Sequence, residues 1–146
     1  MAIAFGGEFR VRQTKEQVYD FLTDPNRFAP LLPDFQSLSV DDEKNCTVKV
    51  KVGISHIRGV ATVKLRLGEA ERPRRAFYQG KGSLAGGTVN FTAGFDLEED
   101  SGGTRVRWKG EAQIFGRLTS VAGGLLEPLG RKSVQKLVDG LETALS

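Results

Sequence analysis

Two periods divide this chain. Phe5, Gly7, Phe9 and Val11 alternate with Glu8, Arg10 and Arg12, the spacing of a strand with one buried face. Thr14, followed three residues later by Gln17, is a capping-box signal. It opens a helix that carries Val18, Phe21 and Leu22 on one side. Asp24-Pro25 reads as a second N-cap with proline at the first helical position. The short helix it starts holds Phe28, Leu31 and Leu32 and ends at Pro33-Asp34. From Phe35 the period returns to two. A short strand runs to Val40, and Asp41-Asp42-Glu43 forms a turn. After it Cys46, Val48, Val50, Val52 and Ile54 alternate with Thr47, Lys49 and Lys51. The same alternation recurs at Ala61 to Leu67, at Ala76, Tyr78 and Leu84 with Gly80 and Gly82, at Val89 to Leu97, and at Val106 to Ile114. Gly86-Gly87 and Ser101-Gly102-Gly103 supply turns. These are successive hairpins of one antiparallel sheet, apolar on one face and charged on the other. The tail is helical again. Val121, Leu125 and Leu129, then Leu137, Leu141 and Leu145, recur at helical spacing, widened by Val134 and Val138. Pro128 inside this stretch predicts a kink or break.

The order is therefore strand, two helices, about six strands and a long amphipathic helix. An antiparallel sheet of that size curls, and its apolar face needs cover. The terminal helix is the one predicted element long enough to provide it. Small inward residues (Gly80, Gly82, Gly110, Ala93 and Ala112) predict space beneath the helix, with Tyr78, Phe91, Phe95 and Trp108 as apolar walls. Ile54 and His56 share the inward parity at a hairpin. The weak segment 121–129, with Gly123-Gly124 and Pro128, reads as a gate presenting Leu125, Leu126 and Leu129 to ligand or membrane. The predicted lining is thus Ile54, His56, Tyr78, Phe91, Trp108, Ala112, Leu125 and Leu129.

Composition narrows the chemistry. The 146 residues fit a single domain over 1–146, with ordinary shares of hydrophobic (39%) and charged (27%) residues. A single cysteine excludes an internal disulfide, and a single histidine excludes a His-rich metal site. His56 has no motif partner, so it reads either as a donor to a carbonyl oxygen or as a solvated hairpin residue. Cys46 has apolar parity and reads as a buried, inert thiol. Asp96 and Glu111 fall on the charged face and do not pair as an acid and base. Gly80-Lys81-Gly82 lies between strands, so it is no phosphate loop. No metal or cofactor is expected. The net charge is +3, and Lys49, Lys51, Lys64, Arg66, Arg105, Arg107 and Lys109 make the outer sheet face basic. Without interleaved aromatics that face is not expected to bind nucleic acid. It reads as a solvated face or as one that meets an acidic partner or anionic lipid. The first eight residues show no signal peptide, and no apolar run reaches a membrane span. A cytoplasmic protein is expected, with any membrane contact peripheral at the inner face.

Several short stretches carry a resemblance. They are Gly7-Glu8-Phe9, Asp24-Pro25, Lys49-Val50-Lys51-Val52-Gly53 and Arg58-Gly59-Val60-Ala61. In the second half they are Pro73-Arg74-Arg75, Gly80-Lys81-Gly82, Gly102-Gly103-Thr104-Arg105-Val106 and Phe115-Gly116-Arg117-Leu118. In this order the chain resembles the carbon monoxide dehydrogenase CoxG family, which is part of the START-like, or SRPBCC, superfamily of polyketide cyclases and Bet v 1-like proteins. It departs from the family at the corner after the second helix, where Pro33-Asp34-Phe35-Gln36 replaces a Pro-Gly-Cys-Glu-like sequence. The resemblance implies an α+β helix-grip fold, β-α-α-β6-α, with a curved antiparallel sheet around a long C-terminal helix. It implies a non-enzymatic protein that holds a hydrophobic molecule of the quinone or lipid class and is accessory to a molybdenum-containing carbon monoxide dehydrogenase. Two alternatives stay open. One is a cyclase, dehydratase or hydrolase on an apolar substrate; the other is a ligand-free protein-docking module.

Overall fold

The computed structural model describes residues 2–54, 57–84 and 86–146, with the side chains of all of these except 54, 57 and 118–123. β1 (Ala2–Val11) is followed by α1 (Lys15–Leu22), α2 (Pro25–Phe28) and a 3-10 turn (Ala29–Leu31). Six strands come next: β2 (Phe35–Val40), β3 (Asn45–Ile54), β4 (Ile57–Glu71), β5 (Arg75–Leu84), β6 (Gly87–Asp100) and β7 (Gly103–Gly116). α3 (Arg117–Ala144) closes the chain. The strands form one seven-stranded sheet in the order β1-β7-β6-β5-β4-β3-β2, with every neighbouring pair antiparallel. This is the helix-grip arrangement that the element order predicts.

Local chemistry sets the early elements. Thr14 Oγ1 accepts from the Gln17 amide at 3.3 Å, and the Thr14 amide donates back to Gln17 Oε1 at 3.0 Å, so the capping box is complete. Asp24 Oδ1 accepts from the Asn26 amide at 3.0 Å, and Pro25 fills a position whose N–H would have no partner. β1 begins three residues before the alternation predicts. Ile3 lies inward, buried against Ile114 and Leu126, and Ala2 pairs with Gln113.

The terminal helix corrects two expectations. α3 is one element of 28 residues, with Pro128 inside it. The proline ring would press on the carbonyl four residues back. That residue is Gly124, where even an added Cβ would meet nothing within 4 Å. The buried stripe is also not the predicted one. Leu126 is 7% exposed, whereas Leu125 and Leu129 are 53% and 37% exposed. The stripe runs through Leu126, Gly130, Val134, Leu137, Val138, Leu141 and Leu145, at spacings of three and four. At Gly130 the helix presses on β1, and a Cβ there would stand 3.0 Å from Phe5 Cζ. Arg131, the next residue, lies with its guanidinium carbon 5.5 Å from the centre of the same ring.

The core is not continuous. One cluster joins Phe9, Val11, Val18, Phe95, Val106 and the C-terminal half of α3. A second joins Ile3, Ile114 and Leu126 at the opposite end of the sheet. A third packs Ala29 against Cys46, Val48 and Leu65.

Candidate functional site

The site is built from the inward positions where these clusters fail to merge. The register places Trp108 beside Gly7 and Phe95, and Gly110 beside Phe5 and Ala93. It sets Ala112 beside Ile3 and Phe91, and Ala93 also beside Tyr78. Trp108 fringes the first cluster, Phe5 and Val89 the second, and Phe91 and Val63 the third. Ala93, Gly110 and Ala112 stand between them. These three positions remain half-buried, although they face the helix side of the sheet. Apolar surface here is shielded from bulk water without being fully packed, as in a ligand cleft.

Two aromatic rings use space that the sequence pattern assigns to a cavity. The Phe91 ring occupies the place a side chain at Gly80 would take. The Trp108 indole lies on Gly7, where a Cβ would be 3.0 Å from Cζ2 and 3.4 Å from Nε1. Gly80 is therefore a seat for a wall residue rather than open volume. The depressions bounded by the described residues lie elsewhere. One of about 350 Å³ is flanked by Asp41, Asn45, Thr47, Lys64 and Arg66. Another of about 190 Å³ runs along residues 2–4 of β1 and 111–113 of β7, and touches Ala112.

Tyr78 has its polar end committed. Its hydroxyl donates to the Leu22 carbonyl at 2.9 Å, and its ring meets Phe28 edge-on at 5.7 Å. Leu22 ends α1, so the phenol satisfies a carbonyl that has no helical partner. Burial pushes the Tyr78 phenol well above the ordinary tyrosine range. Thr104 is buried, and its hydroxyl donates to the Gln13 carbonyl at 2.7 Å. Trp108 differs: its Nε1 is buried and has no hydrogen-bond partner.

The remaining predicted residues separate. Tyr78, Phe91, Trp108 and Ala112 share the inward face. Leu125 and Leu129 face away from the buried stripe of α3, and Leu126 takes the inward role. His56 and the Ile54 side chain lie outside the described residues, as does the first half of the predicted gate. Cys46 is buried among Val48, Leu65 and Ala29, and burial raises its thiol pKa. Asp96 is exposed and pairs with Arg75 at 3.6 Å. Among the described residues, no group of three or more His, Cys, Asp or Glu could hold a metal ion.

On the outer face the cations divide. Arg105 pairs with Asp100 at 3.0 Å, and Arg107 pairs with Glu8 and Glu98 at 3.3 and 3.2 Å. Lys49, Lys51, Lys64 and Arg66 of β3 and β4 are exposed, and Lys64 stands directly opposite Lys81 of β5. Like charges set across a strand pair repel, so this patch favours an anionic contact over self-pairing. Among the described residues, no helix is long and apolar enough to cross a membrane.

Solved structures share the architecture. A conserved protein from Geobacillus kaustophilus superposes with a TM-score of 0.85 at 17% identity, covering 98% of this chain and 95% of that one. A START superfamily protein from Mycobacterium smegmatis gives 0.69 at 12% identity, covering 97% and 96%. The di-domain ARO/CYC BexL from the BE-7585A biosynthetic pathway gives 0.66 at 14% identity, covering 99% of this chain and 50% of that one. At these identities the likeness establishes the fold, which is START-like. No curated protein matches the sequence. The sequence profile of one family, the CoxG family of carbon monoxide dehydrogenase, matches residues 7–146, and this chain belongs to that family.

Proposed function

We propose that the chain binds a hydrophobic small molecule of the quinone or lipid class between the sheet and α3, and performs no chemistry on it. The observation that carries this reading is the half-buried apolar surface around Ala93, Gly110 and Ala112, where the core clusters stop short of one another. A protein built only to fold would close that surface, because each Å² of apolar area removed from water is worth about 25 cal/mol. The CoxG family supports a role as accessory and recruitment factor for a molybdenum-containing carbon monoxide dehydrogenase-type enzyme at the inner face of the cell membrane. The patch of Lys49, Lys51, Lys64 and Lys81 supports peripheral contact with anionic lipid there.

The cyclase named among the structural neighbours favours a second reading, an enzyme acting on an apolar substrate. That reading needs polar groups converging on the cleft. The Tyr78 hydroxyl is spent on Leu22, which weighs against it.

The test is a thermal-shift series with a short-chain menaquinone and with palmitate. A ligand at a hundred times its Kd adds about 2.7 kcal/mol to stability and raises the Tm by several degrees. An unchanged Tm with both would defeat the binding reading. Recovery of a chemically altered ligand would replace it with the enzyme.

A further inference from the structure

Trp108 is the sole tryptophan of the chain, and its Nε1 is the one buried side-chain polar atom left without a partner among the described residues. The other buried polar groups near it are satisfied, Thr104 by Gln13 and Tyr78 by Leu22. An indole N–H can only donate. Leaving such a donor buried and unmade costs stability, and phenylalanine would cover similar apolar area without that cost. Orphaned buried donors therefore call for a functional explanation.

The geometry supplies one. The nitrogen edge of the ring rests on Gly7 of the neighbouring strand, with Nε1 3.4 Å from where a Cβ would stand. Any larger residue there would push the indole off its seat. The ring fringes the core cluster of Phe9, Phe95 and Val106, and the next inward positions along β7 are the small residues Gly110 and Ala112. Trp108 thus stands where packed core gives way to the cleft.

We infer that the Trp108 indole N–H is the polar recognition group of the site. It donates to an acceptor oxygen on a neutral, apolar molecule bound in the cleft, and this rests on the binding reading above. The described inward positions of β1, β5, β6 and β7 carry no charged side chain. A buried carboxylate would find no counter-charge among them. The class selected is a molecule with a ketone, quinone or ester carbonyl rather than a fatty-acid anion.

The test exploits the single tryptophan. In a 1H–15N correlation spectrum of the 15N-labelled full chain, Trp108 gives one indole resonance. The protein is titrated with 2,3-dimethyl-1,4-naphthoquinone and, separately, with 2,3-dimethylnaphthalene, which has the same ring carbons and no oxygen. Both are expected to shift amides around Ala93 and Gly110, and only the quinone is expected to move the indole proton downfield. The quinone should bind about tenfold tighter than the hydrocarbon, and Trp108→Phe should reduce that ratio to about twofold or less. If amides shift but the indole stays still, or moves equally with both compounds, the role of Trp108 is refuted and the binding reading stands. If neither compound shifts any amide, both fall. The wild-type spectra decide the point even if Trp108→Phe does not fold.

Discussion

Replacing Tyr78 with phenylalanine removes one oxygen and tests whether that residue belongs to the fold or to the ligand. In the structure the hydroxyl donates to Leu22, the last residue of α1, at 2.9 Å, and the ring packs edge-on against Phe28. Phenylalanine keeps the ring contact and strips the C-terminal carbonyl of α1 of its donor. The loss is one hydrogen bond plus part of the desolvation of a half-buried carbonyl, about 1–2 kcal/mol. For a chain of this length that lowers the Tm by about 2–8 °C. Reversible urea unfolding followed by circular dichroism measures it, with ligand affinity measured alongside. The expected pattern is lower stability with affinity unchanged to within about twofold. Unaltered stability with a tenfold loss of affinity would refute the assignment and make Tyr78 a ligand contact. The pH dependence gives an independent check. Burial raises both Tyr19 and Tyr78, the two tyrosines of the chain. Their contribution to stability is whole below the unfolded tyrosine pKa of about 10 and is lost as the pH climbs past it. Absorbance at 295 nm should therefore stay flat through pH 10 and rise only together with unfolding.

Three further outcomes follow. Gly80→Val should cost about 1–3 kcal/mol in chemical denaturation, because its side chain takes the place of the Phe91 ring; unchanged stability would mean that Phe91 does not sit there. Cys46 is buried with a raised thiol pKa, so it should react with Ellman's reagent only at the rate of unfolding; rapid labelling of the native protein would contradict its placement. Lys64→Glu combined with Lys81→Glu should weaken binding to phosphatidylglycerol vesicles at low salt by about 1 kcal/mol per charge removed; equal vesicle binding by variant and wild type would take that face out of membrane contact.

The strands were legible because a half-buried strand must alternate, and from β3 to β7 this chain alternates with few interruptions. The caps were legible because Thr14, Gln17, Asp24 and Pro25 act on backbone within three residues of themselves. The register of α3 was not. Counting apolar side chains favours the line Val121, Leu125 and Leu129. The true contact line passes through Gly130, which has no side chain to count and works by letting Phe5 approach. The glycines of the sheet misled in the same way. At Gly80 the missing side chain admits the Phe91 ring, which is set by cross-strand register rather than by composition. In the site, parity brought Tyr78, Phe91, Trp108 and Ala112 to one face. It could not show that Tyr78 is tied to a helix 56 positions earlier in the chain, or that Trp108 keeps an unanswered donor.

The most direct test of the binding site is native mass spectrometry of the wild-type chain and an Ala112→Phe variant, each incubated with menaquinone and with phospholipid. Phenylalanine at this half-buried inward position puts a ring into the proposed cleft. The account predicts a one-to-one adduct on the wild type that the variant loses while its thermal transition stays cooperative. The absence of any adduct on the wild type, or an adduct that survives unchanged in the variant, would contradict it.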